Sequence, residues 1–169
     1  MEDKVLVVYA SKYGATKEIA EKIGEVLRQE GLIADVRPAK DAGDPADYKA
    51  VIIGSASYMF NWRKDASGFL NKFEKVLAER PVWIFSSGPL EKGDPVQLLK
   101  GQILPKSLQP VVDRIKPRDI AVFHGAIFMD KLNFFEKWMM QRVKTGVGDF
   151  RDWDMITKWA KNIADALKK

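Results

Sequence analysis

Apolar positions along the chain follow two alternating patterns. Lys4–Tyr9 carries the unbroken run Val5-Leu6-Val7-Val8-Tyr9, as in a strand buried on both faces. Over Thr16–Gln29 the residues Ile19, Ala20, Ile23, Val26 and Leu27 recur at helical spacing, and Gly31 ends the helix. Ile33–Arg37 reads as a short strand, Ala42–Asp47 as a polar turn around Pro45, and Ala50–Gly54 as a second buried strand. Lys64–Leu77 is expected to be a helix burying Phe69, Leu70, Phe73, Val76 and Leu77. Val82–Ser86 is the next strand. A long Gly- and Pro-rich loop spans 87–105, with a turn of helix near Val96–Leu99. Leu108–Ile115 is a short helix, Asp119–Phe123 a fifth strand, and Leu132–Val143 and Trp153–Leu167 the last two helices.

Strands separated by helices pair in parallel through right-handed crossovers. Five strands with about as many helices predict an α/β, three-layer, doubly wound parallel sheet of strand order 2-1-3-4-5 in one domain, 1–169. In such sheets the ligand crevice lies at the carboxyl ends of strands 1 and 3, where the winding reverses. Function is therefore sought after Tyr9, Gly54 and Ser86.

Composition narrows the chemistry. The chain has no cysteine, so disulfides, thiolate catalysis, iron–sulfur clusters and cysteine zinc sites are excluded. Its one histidine, His124, excludes a multi-histidine metal site. No apolar stretch approaches the roughly 20 residues that span a bilayer, and the N-terminal apolar run is too short for a signal-peptide core, so a cytoplasmic protein is expected. The net charge of +5 lies wholly in the second half: residues 1–85 carry 13 basic and 13 acidic residues, residues 86–169 carry 15 and 10. Lys100–Arg118 and Lys131–Lys144 concentrate it, which favours an anionic partner such as a polycarboxylate, an acidic protein or lipid headgroups. No recognition motif supports nucleic acid. Oligomeric state is not encoded in the pattern, and a homo-oligomer is among the states left open.

After the first strand, Ala10-Ser11-Lys12-Tyr13-Gly14-Ala15-Thr16-Lys17 opens directly into a helix. Two small hydroxyls, a glycine that permits a tight turn, and the unpaired N–H groups of a helix head make an anion site suited to a terminal phosphate. The alternative is that Ser11 and Thr16 simply cap the helix. Neither the Walker A pattern nor Gly-x-Gly-x-x-Gly is present. After the third strand, Gly54-Ser55-Ala56-Ser57-Tyr58 offers small residues against which a flat heterocycle can lie, then an aromatic cluster through Trp62. Tyr58 and Trp62 are the stacking candidates, whereas Met59 and Phe60 read as packing residues. Ser86-Ser87-Gly88-Pro89 repeats the theme after the fourth strand, and His124-Gly125-Ala126 lies at the same edge after the fifth.

Ser11-x-x-Gly14-x-Thr16 after an apolar strand resembles the FMN-phosphate loop of flavodoxins. The resemblance implies a flavodoxin-like fold that binds FMN without a covalent link. It assigns the ribityl phosphate to Ser11, Lys12, Tyr13, Gly14, Ala15 and Thr16. It assigns the isoalloxazine edge to Ser86, Ser87, Gly88 and Pro89, which would place the ring against the small residues Ser55, Ala56 and Ser57 and the stacking candidates Tyr58 and Trp62. The flavin, not a protein acid or base, then carries the chemistry. Carrier flavodoxins usually place a glycine beside flavin N5. Ser55–Asp65 has none, so strong stabilisation of the one-electron-reduced flavin is not expected.

The second half departs from an acidic carrier. The aromatic, basic segment Asp130–Lys144, the turn Gly146-Val147-Gly148-Asp149 and the run Arg151-Asp152-Trp153-Asp154 resemble the bacterial menaquinone-dependent protoporphyrinogen IX dehydrogenases. That likeness implies an FMN-dependent oxidoreductase passing electrons from an organic substrate, protoporphyrinogen IX in that family, to a quinone; a flavodoxin-type shuttle is the alternative. The segment 131–144 reads as an extra amphipathic helix with three open roles. It can rest on an anionic bilayer as a peripheral contact, wall a greasy groove, or cover the core.

Overall fold

A computed structural model describes residues 3–58, 61–88, 92–142 and 148–169, with Tyr58, Met140 and Arg142 described by backbone alone. Met59, Phe60 and Pro89 lie outside the described residues. In chain order the elements are β1 (Lys4–Ala10), α1 (Ala15–Gln29), β2 (Ile33–Pro38), β3 (Ala50–Tyr58), β4 (Asn61–Trp62), α2 (Lys64–Lys72), α3 (Glu74–Ala78) and β5 (Val82–Ser87). They continue with α4 (Pro95–Leu98), α5 (Gln109–Ile115), β6 (Asp119–Phe123), β7 (Ala126–Ile127), α6 (Phe134–Arg142), β8 (Gly148–Asp149) and α7 (Trp153–Lys168).

The parallel strands pair in the order β2-β1-β3-β5-β6, the expected doubly wound arrangement. Because side chains alternate along a strand, each strand feeds both layers. Val5 and Val7 of β1, Ile52 of β3, and Trp83 and Phe85 of β5 pack under α1 and α7. Leu6, Val8, Val51, Ile53, Val82 and Ile84 pack under α2, α3 and α5. This two-sided burial explains why the strands read as continuous apolar runs.

The ends of α1 show how local sequence sets the geometry. At its C-terminus Gly31, at φ +91°, donates its N–H to Arg28 O, and Leu32 N–H bonds Leu27 O at 3.0 Å. This is a Schellman motif, and Leu27 and Leu32 meet in the core. At its N-terminus Gly14, at φ +94°, turns the chain out of β1.

Four features differ from the sequence pattern. β3 runs to Tyr58 rather than Gly54, because Ser55 and Ala56 keep pairing with Ser86 and Ser87 of β5, and Ser57 and Tyr58 fold back on β4 as a hairpin. The helix expected over 64–77 breaks at Phe73. The last strands of the fold form an unexpected antiparallel ribbon, Ala126 opposite Asp149 and Ile127 opposite Gly148. α6 starts at Phe134, two residues later than expected, because Asn133 caps it. Asn133 Oδ1 accepts from Glu136 N–H, and Glu136 Oε1 accepts from Asn133 N–H, a reciprocal capping box.

Gly54 is the tightest point of the sheet. A Cβ there would fall inside the ring of Phe85, its cross-strand neighbour, which is wholly buried and wedged against Phe123 and Trp159. Gly54→Ala is therefore expected to lower stability by about 1–3 kcal/mol in urea unfolding. Gly68→Ala, inside α2 with open space around it, is expected to be neutral or to stabilise by up to about 1 kcal/mol.

Candidate functional site

One cleft opens at the carboxyl ends of β1, β3, β5 and β6. Ser11, Lys12, Tyr13, Ala15 and Thr16 form one wall, Ala56, Ser57, Ser87 and Gly88 the floor, and Arg63 and Gly125-Ala126-Ile127 the far side. Nine of the residues expected from the sequence are thus brought together. Gly14 shapes the loop without lining the cleft.

The phosphate-loop end is open to an anion. Among the described residues no side chain caps the first turn of α1, nor those of α2, α3 and α5, whereas Asp94, Asn133 and Asp152 cap α4, α6 and α7. The capping alternative for Ser11 and Thr16 is therefore not what forms. Ser11 Oγ instead accepts from Gly14 N–H at 3.0 Å, holding the loop closed on itself, and Thr16 is almost fully buried at the base of the cleft. Three cations stand at or near the rim: Arg63, Lys12, and Lys131, whose Nζ lies over Gly14. Lys12 also contacts the Tyr13 ring and pairs with Glu136 of α6 at 2.9 Å. That pairing, chiefly its hydrogen bond, holds the Glu136 carboxyl below its ordinary pKa.

The floor is built from small residues. A Cβ at Gly88 would meet Ser57 Cβ at 3.2 Å, so the β3 and β5 loops approach more closely than larger residues allow. The result is a flat slot beside an anion-seeking helix head, which fits a planar heterocycle joined to a phosphate.

Three expected residues do not reach the slot. Ser55 is buried, donating to Ala56 O at 2.9 Å and accepting from Arg63 N–H at 3.1 Å, so it ties the hairpin to the start of α2. Ser86 Oγ accepts the indole N–H of Trp62 at 2.7 Å. Trp62, one of the two expected stacking residues, is only 7% exposed and belongs to the core under α2. The hairpin explains this: pairing Trp62 with Ser57 turns the indole inward. Tyr58 lies at the hairpin's end, with only its backbone described.

Sequence reasoning missed Arg63, Ile127, Lys131 and Arg151. Arg63 has no motif signature, and the others reach the site through the β7–β8 ribbon, which has no hydrophobic period. Arg151 is the strongest polar node nearby. Its guanidinium takes both oxygens of Asp149, at 2.9 and 2.8 Å, and reaches Glu18 of α1 at 2.6 Å. His124 is buried, and neither ring nitrogen finds a partner among the described residues.

α6 is mounted with its aromatic side outward. Glu136 faces the phosphate loop, whereas Phe134, Phe135, Trp138 and Met139 are exposed, Phe134 by 88%. Phe135 and Trp138 stack on each other at 6.1 Å. Leu132, just before the helix, is the residue that packs inward. None of the described side chains of α6 is buried in the core.

Comparison with known proteins agrees with this geometry. Residues 6–154 match a family model described as the flavodoxin domain. The chain is 22% identical to the protoporphyrinogen IX dehydrogenase [quinone] of Escherichia coli K12, over 98% of this chain and 97% of that protein. It is 25% identical to the enzyme of the same name from Leishmania major, over 95% of this chain and 74% of that protein. Among solved structures, a flavodoxin from the domain Archaea superposes with a TM-score of 0.64 at 14% identity, over 98% of this chain and 99% of that one.

The Arg151 node predicts a pH effect. Hydrogen bonding from Arg151 lowers the Asp149 pKa below its ordinary value. A carboxylate with a depressed folded-state pKa stabilises above its unfolded pKa and loses that contribution as pH falls through the folded one. Asp149→Asn should therefore flatten the fall of the urea midpoint below about pH 4, while solvent screening limits its cost at pH 7 to about 1 kcal/mol or less.

Proposed function

The chain belongs to the flavodoxin domain family, whose members use FMN for electron transfer and oxidoreduction, and from that premise we propose that FMN lies in this cleft with its phosphate on the head of α1. The observation that carries the reading is the uncapped first turn of α1, opening into a slot walled by small residues and rimmed by cations. Bound there, FMN supplies the two-electron redox chemistry that no protein side chain here provides.

In this reading each wall has a task. The N–H groups of the first turn and the hydroxyls of Ser11 and Thr16 hold the phosphate. Lys12 and Lys131 lower the cost of bringing a dianion to the loop. Ala56, Ser57, Ser87 and Gly88 let the ring lie close to backbone and exclude water from its faces.

The substrate reading is an oxidoreductase acting on protoporphyrinogen IX with a quinone as acceptor. It is supported by the two similar dehydrogenases and by α6. Exposed aromatics flanked by Lys131 and Lys137 suit the headgroup layer of an anionic bilayer, where quinones reside. No helix among the described residues is long and apolar enough to cross a membrane.

Three measurements test the reading. Purified protein given FMN should turn yellow, and Ser11→Asp should weaken FMN about a hundredfold by placing a carboxylate at the phosphate, with the melting temperature confirming the fold. The loaded protein should oxidise protoporphyrinogen with a menaquinone analogue faster than free FMN does; a rate no higher leaves the shuttle role instead. Vesicles containing phosphatidylglycerol should sediment the protein, and Phe134→Ser with Trp138→Ser should abolish this without loss of flavin.

A further inference from the structure

We propose that Arg151 is a positioning residue for the phosphate end of the cofactor, fastening the first turn of α1 to the β7–β8 ribbon and neutralising Glu18 beside the phosphate loop. The inference rests on the placement of FMN proposed above.

The side chain is built for one position. It is only 4% exposed, far less than the carboxylates it joins. Nε and Nη2 grip Asp149 as a two-pronged fork, and the Arg151 backbone N–H adds a third bond to the same carboxylate at 3.0 Å. Nη1 then spans to Glu18 Oε2 and to Ala15 O at 3.3 Å. The rings of Trp153 and Phe128 flank the guanidinium at 4.7 and 5.7 Å. A planar, delocalised cation with fixed donors satisfies this arrangement; an ammonium does not.

Its partners lie at the business end of α1. Ala15 is the first residue of the helix and lines the cleft, and Glu18 completes the first turn. A carboxylate there suits the helix dipole but repels a phosphate dianion at the same helix end. Arg151 offsets that charge and, through Ala15 O, fixes the turn whose N–H groups face the anion. The ribbon in turn is anchored where Phe150 N–H bonds Gly125 O at 3.1 Å, next to the cleft's far wall. The segment after β6 thus sets the grip of the loop after β1.

The test compares FMN with riboflavin, which has the same ring and no phosphate. Dissociation constants are measured by flavin-fluorescence quenching for the parent, Arg151→Met, Arg151→Lys, and Arg151→Met with Glu18→Gln. Arg151→Met should lose about tenfold in FMN affinity with riboflavin unchanged, and the loss should shrink as salt rises. Adding Glu18→Gln should recover part of it. Should Arg151→Met fail to fold by its melting curve, Arg151→Lys decides, with a smaller loss expected in the same direction. An unaltered FMN-to-riboflavin ratio overturns the proposal, and so does equal weakening of both ligands. A parent protein that does not prefer FMN to riboflavin instead defeats the underlying placement of the phosphate.

Discussion

The opening N–H groups of α1 cannot be satisfied within the helix, and this single constraint organises the molecule's working end. A parallel sheet sends every crossover helix away from the carboxyl edge of its strands, so α1 begins where β1 ends. Gly14, in a left-handed conformation, makes that turn in a few residues. Asp or Asn closes the helix heads of α4, α6 and α7, and α2, α3 and α5 carry no side-chain cap; at α1 Ser11 bonds back into the loop and leaves the helix end facing the cleft. An anion in the cleft completes what the fold leaves open, which is why a phosphorylated cofactor suits this position better than a neutral one.

Electrostatics around that junction are arranged in pairs rather than as a bare positive field. Lys12 is shared with Glu136, and Arg151 with Asp149 and Glu18. Lys12–Glu136 joins the loop after β1, and Arg151–Glu18 the first turn of α1, to segments beyond β6. The chain after the fifth parallel strand is therefore part of the cleft's support. With Glu136 turned toward the loop after β1, Phe134 and Trp138 on the opposite side of α6 face solvent, and Phe135 and Met139 are exposed beside them. A soluble helix normally does the reverse. Charge holding the loop and apolar surface offered outward are two consequences of one orientation.

The buried sheet was legible in the sequence because its signal is physical and strong. Two-sided burial demands unbroken apolar runs, and β1, β3, β5 and β6 supply them or their cores. The loop after β1 was legible as a candidate anion site for a different reason: glycine and small hydroxyls at a strand–helix junction suit an anion, although helix capping uses the same residues. What escaped notice lacks periodicity. Ser55–Tyr58 is strand by virtue of its neighbours, not its polarity. The β7–β8 ribbon is two residues long on each side, and Arg151 meets Glu18 and Ala15 only when residues 133 and 136 positions away in sequence are folded against it. Trp62 was misleading for a related reason. An aromatic in a loop suggests a ligand, but a two-residue hairpin was enough to turn it into the core.

Phosphorus NMR of the FMN-loaded protein tests the placement of the dianion most directly. Free FMN titrates near pH 6, as phosphate monoesters do. Held by the head of α1, the phosphate should stay dianionic, with a single resonance that does not move between about pH 5 and 8. A bound-flavin resonance that titrates like free FMN would contradict the claim that this helix end grips the cofactor.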